Sequence, residues 1–156
     1  MKINLQIIVI AILLLLSING CSLSDPRLLG TWQSNLELTT QYNKEHTRID
    51  DLQLEKLSQI FGMMEVTYKS DNSCEFYFPK HTLKTKEKVF ENEESLSVED
   101  YKIIFQRDNI LVLEHSNNSS EKNISVINFV NENTYWIYLG YSEVFDLHLR
   151  EYFTKK

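Results

Sequence analysis

The chain has 156 residues, a formal charge of −6 at pH 7 and only four glycines. That length provides one domain with a proper core. The acidic balance excludes the basic face that nucleic-acid binding requires, and so few glycines argue against a phosphate-cradling loop.

The N-terminus carries Lys2, an apolar run from Leu5 to Leu16 interrupted only by Gln6, then Ser17-Ile18-Asn19-Gly20 and Cys21. A membrane-spanning helix needs about 20 apolar residues. The run is shorter and has the plan of a secretory signal. Ile18-Asn19-Gly20-Cys21 resembles the bacterial lipobox: an aliphatic residue, two small ones and the acceptor cysteine. The resemblance implies cleavage between Gly20 and Cys21, a thioether-linked diacylglycerol on Cys21, and N-acylation of the new terminus. Three acyl chains make detachment negligible, since each buried methylene contributes about 0.8 kcal/mol. The expected location is the cell envelope. If the source has two membranes the outer one is favoured, because Ser22, not aspartate, follows the cysteine. Removal of residues 1–20 takes Lys2 with it and leaves 136 residues with a formal charge of −7. Cys74 is then the one cysteine without a lipid, so no internal disulfide can form, and its alternation with Phe76 and Phe78 predicts a packed apolar role.

Residues 21–27 read as a lipidated tether and 28–156 as the domain. Leu28 to Leu38 predicts a first strand. Asp50 is a natural N-cap with Gln53 three residues on, as in a capping box, and Leu54, Leu57, Ile60 and Phe61 recur at helical spacing. Gly62 can close this helix, predicted over about 50–61. Everything beyond it is β-like. Met64, Val66 and Tyr68 alternate with polar partners, and 74–78 return after Asp71-Asn72-Ser73. Thr82 to Phe90 is a weaker, charged strand, with Lys84 to Glu94 read as a solvated hairpin protecting a sheet edge. Val98–Gln106 and Ile110–His115 flank Asp108-Asn109, a hairpin signal, and 124–130, 134–139 and 145–153 follow. The pattern predicts a mainly β fold: an antiparallel up-and-down barrel of about eight or nine strands, with one α-helix inserted after the first strand.

The segment Leu29-Gly30-Thr31-Trp32 resembles the G-x-W signature that opens lipocalins and their calycin relatives. The resemblance implies a barrel whose closed end is plugged by Trp32, with Gly30 allowing a tight pass of the chain. It also implies an arginine from the last strand across the indole, here Arg150. The helix after the first strand departs from the family pattern and is closer to short lipocalin-like bacterial lipoproteins. Strand 134–139 carries aromatics on both faces: Tyr135, Ile137 and Leu139 on one, Trp136 and Tyr138 on the other. One set is expected inside the barrel; the other packs under the helix or forms a partner patch.

The four histidines, His46, His81, His115 and His148, lack metal-ligand spacing, and there is no H-E-x-x-H, C-x-x-C or G-x-S-x-G. No catalytic residue, metal site or cofactor is therefore expected, and the chain reads as non-enzymatic. Two functions remain open. The first is a membrane-anchored, lipocalin-like barrel holding a small apolar or amphipathic molecule. The alternative is an envelope scaffold or inhibitor that contacts another protein and has a filled barrel.

Overall fold

A computed structural model describes residues 25–46, 49–84, 88–117, 122–142 and 147–156. The expected signal segment, residues 1–20, and Cys21 lie outside the described residues. Ten strands and two helices follow in chain order: β1 (Gly30–Ser34), α1 (Leu36–His46), α2 (Asp51–Ser58), β2 (Glu65–Tyr68), β3 (Ser73–Phe78), β4 (His81–Lys84), β5 (Val89–Asn92), β6 (Ser95–Arg107), β7 (Ile110–Ser116), β8 (Lys122–Asn131), β9 (Thr134–Ser142) and β10 (Leu147–Lys155). Eight strands close into an antiparallel barrel in the order β1-β2-β3-β6-β7-β8-β9-β10, with β10 pairing back onto β1. β4 and β5 form a separate two-stranded sheet between β3 and β6. The predicted strand 82–90 is therefore two short strands, and the exposed Val89 and Phe90 belong to that hairpin.

Alternation decides which side chains face inward, because residues two apart in a strand share a face. Val66 and Tyr68, Tyr101 and Ile103, Leu111 and Leu113, and Ile127 and Phe129 all fall inside and are buried. Trp32, Tyr135 and Phe153 complete a core cluster in which Cys74 is also fully buried. The interior is thus largely apolar, with Ser34, His115 and Glu151 as buried polar exceptions, and the outer wall is mixed.

α2 is the predicted helix, shortened. Asp50 accepts from the Gln53 backbone N–H at 2.7 Å, and the Gln53 side chain accepts from the Asp50 N–H at 2.9 Å, a complete capping box. The helix ends at Ser58; residues 59–62 form turns, so Ile60 leaves the buried stripe and is exposed, while Leu57 and Phe61 stay buried. Gly62 takes φ +86°, and a Cβ there would lie 2.8 Å from that of Leu36, so only glycine fits without a shift.

A second helix, α1, begins at residues 36–38, which read as the end of the first strand, and continues over residues 39–46, which carried no predicted element. Asn35 starts it, its side chain accepting the Leu38 N–H at 2.9 Å. Its buried face is polar: Thr39 and Asn43, one turn apart. Thr39 Oγ1 accepts the Tyr152 N–H at 2.9 Å, and the Asn35 N–H donates to the Tyr152 carbonyl at 2.7 Å. Where β1 stops, the helix therefore takes over hydrogen bonding to β10. Without an apolar stripe at 3.6-residue spacing, hydropathy periodicity does not reveal it.

Candidate functional site

The two ends of the barrel differ. At one end the strands join through tight turns at 69–72, 108–109 and 132–133, and the chain enters and leaves there. Toward this end Trp32 is fully buried, with Tyr135 at 4.6 Å and Phe129 at 6.1 Å between ring centroids; Tyr135 stacks in turn on Phe153 at 5.0 Å. The indole N–H donates to the Leu28 carbonyl at 2.7 Å, which ties the incoming chain to the plug. Gly30, at φ +113°, leaves room for Lys155, whose ammonium stands over the Trp32 ring at 5.2 Å and donates to the Arg27 carbonyl.

The cation on Trp32 is therefore Lys155, and the expected Arg150–Trp32 pairing does not form. Arg150 is an outward residue, paired with Tyr138 across the ladder. Its guanidinium lies 3.8 Å from the Trp136 ring and 4.5 Å from that of Tyr42 on α1. Period two decides the outcome: Glu151 and Phe153 point inward, so Arg150 and Tyr152 point out. This also assigns the two aromatic faces of β9. Tyr135 and Ile137 face the core, while Trp136 lies on the outer face, where the Arg150 guanidinium contacts both it and Tyr42 of α1.

Toward the other end the inward side chains lose their cover. On β6 they run from buried Ile103 and Tyr101 to half-buried Glu99 and exposed Ser97; on β8, from Phe129 and Ile127 to half-buried Ser125 and exposed Asn123. Phe76, Met64 and Ile137 are partly buried against the core at the transition. The β8–β9 ladder ends at Ile127 and Ile137, and above that level the two strands have no ladder pair among the described residues. Ile124, Tyr138 and Leu139, which lie beyond that level, are exposed. Within the barrel, burial of the inward side chains thus falls from the Trp32 end toward the other.

Two polar groups sit within it. Ser34 accepts the Gly62 N–H at 2.8 Å and donates to the Glu151 carboxyl at 2.5 Å. Burial pushes the Glu151 pKa up to about 7, against the lowering effect of the Ser34 hydrogen bond. Cys74, His115 and Glu99 form the second group. His115 Nδ1 lies 3.6 Å from Cys74 Sγ and 3.7 Å from a Glu99 oxygen, and the buried Nε2 makes no hydrogen bond among the described residues. Both neighbours approach the same ring nitrogen, so no nucleophile–base–orienter relay exists. Burial pushes the Cys74 thiol up to about 12 and His115 down, so at neutral pH the thiol stays protonated and inert. This polar interior was missed from sequence, although Glu151 and His115 fall on inward positions once strand register is known.

The chain matches no known family model, no curated protein and no solved structure. The remaining histidines are accounted for locally: His46 stacks on Tyr42, His81 bonds the Pro79 carbonyl, and His148 meets the Tyr138 hydroxyl at 2.8 Å. Among the described residues, no group of three His, Cys, Asp or Glu side chains could hold a metal ion.

Proposed function

We propose that the protein is an envelope lipoprotein, held by acyl chains on Cys21, whose lipocalin-like barrel holds a small apolar or amphipathic molecule in its open half. The observation that carries this reading is the burial gradient along β6 and β8, from a packed floor to an accessible rim. Ligand sites favour such concave, largely apolar settings with a few polar groups, and here Phe76, Met64 and Ile137 supply the floor, with His115, Glu99 and Glu151 nearby. The unactivated Cys74–His115 pair supports a binding role and not a catalytic one.

The test uses the full chain purified in mild detergent. Saturable fluorescence enhancement of N-phenyl-1-naphthylamine, together with extraction of a stoichiometric lipid, is the expected result. Ser97→Trp, which fills the rim at an exposed position, abolishes both without lowering stability. A barrel that binds no probe and yields no lipid on repeated preparation refutes the ligand and favours an envelope protein-interaction role.

A further inference from the structure

The incoming chain is fastened at a specific place. Asp25 accepts from Gln106 Nε2 at 3.1 Å, and Arg27 donates to Asn109 Oδ1 at 3.3 Å and to the Asp108 carbonyl at 3.0 Å. These bonds clamp residues 25–27, expected in the tether, onto the tip of the β6–β7 hairpin. Arg27 itself is held by Asp25 at 2.7 Å and lies 4.6 Å from the Phe129 ring. Only three residues, Ser22, Leu23 and Ser24, separate Cys21 from Asp25, and the four extended Cα-to-Cα steps reach about 14 Å at most.

The outer wall that rises from this tip is unusually apolar. A β-bulge opposite Val112 turns two consecutive β6 residues outward, Ile104 at 44% and Phe105 at 47% exposure. Ile110, Ile124, Val126 and Val130 extend the patch over β7 and β8, with 40%, 55%, 39% and 54% exposure. Val112 pairs with Val126 in the centre. Lys102 and Arg107 point outward beside it, opposite Glu114 and Ile110, and Arg107 is 79% exposed. A contiguous apolar face of this kind, rimmed by polar residues, marks a contact site.

We infer that the β6–β8 face rests on the bilayer that holds the acyl chains, with the side chains of Phe105, Ile110 and Val126 in the interfacial region. This rests on the lipid-anchor reading of Cys21. A tether this short, attached at the patch's own edge, holds that wall within reach of the headgroups. The domain is acidic overall, so anionic lipid does not draw it in; apolar burial does, while Lys102 and Arg107 extend to the headgroups as long cations do at interfaces. The same posture sets Ile124, 55% exposed on β8, against the membrane.

The experiment places one nitroxide at a time on Ile110→Cys, Val126→Cys or Lys44→Cys in the full acylated chain, in vesicles of phosphatidylethanolamine and phosphatidylglycerol. Lys44 lies on α1, which covers β10 away from this face. Cys74 is buried and does not compete for label. The expected result is nickel-chelate collision at least about fivefold lower at positions 110 and 126 than at 44, with oxygen collision raised. Equal nickel collision at all three positions, with acylation of Cys21 confirmed by mass, overturns the posture and leaves the anchor intact. Absence of acyl mass on Cys21 overturns the anchor reading and this inference with it. Shielding at 110 and 126 accompanied by spin–spin broadening and no oxygen enrichment assigns the face to a second copy and also overturns it.

Discussion

Glu151 gives the most demanding test of the interior. Its carboxyl is buried inside the barrel, within hydrogen-bonding reach of Ser34, and its pKa in the folded protein is about 7 against an ordinary 4.5. The folded state therefore binds the proton more tightly than the unfolded chain does. Below pH 4.5 both states are protonated and the full stability is present. As pH rises from 4.5 to 7 only the unfolded chain ionises, so stability falls; above 7 both states are ionised and the loss stops growing. The difference of pKa values corresponds to about 3 kcal/mol, at 1.36 kcal/mol per unit. Glu151→Gln preserves shape and cannot ionise. Urea unfolding of both proteins, in a form lacking residues 1–21, then yields a stability difference that moves in the variant's favour by about 3 kcal/mol between pH 4 and pH 8. In melting temperature this is on the order of 10 °C. Comparing the two proteins cancels titrations common to both. His115 is one of these: its lowered pKa contributes stability above its ordinary value that is lost as pH falls. A difference that stays flat over this range refutes the reasoning and shows the Glu151 carboxyl to be hydrated.

Three further outcomes follow from the geometry. Trp32→Ala removes the plug between Tyr135 and Phe129 and lowers unfolding free energy by about 3–5 kcal/mol in denaturant titration. The Cys74 thiol, with its pKa near 12 and no exposure, fails to react with a disulfide reagent at pH 8 in the native protein and reacts completely in urea. Rapid labelling of the native protein would contradict the interior placement. Asp50→Ala breaks the capping box at the start of α2 and costs about 1 kcal/mol, measured by thermal unfolding at neutral pH.

What the chain's own pattern determined is the class of fold. Period-two alternation at Val66/Tyr68, Leu111/Leu113 and Ile127/Phe129 marks half-buried strands, the Asp108-Asn109 turn marks a hairpin, and Asp50 with Gln53 marks the start of α2. These signals are local, so they survive without any knowledge of partners. Tertiary structure decided what depends on register and on polar docking. Whether Arg150 or Lys155 reaches Trp32 turns on which face of β10 is inward, and that is set by pairing with β1 and β9. α1 was hidden because its buried side is Thr39 and Asn43, held by hydrogen bonds to β10 that no hydropathy pattern records. The buried Glu151 and His115, and the bulge that turns Ile104 and Phe105 out together, likewise arise only when distant strands meet, because burial and face are properties of the closed barrel.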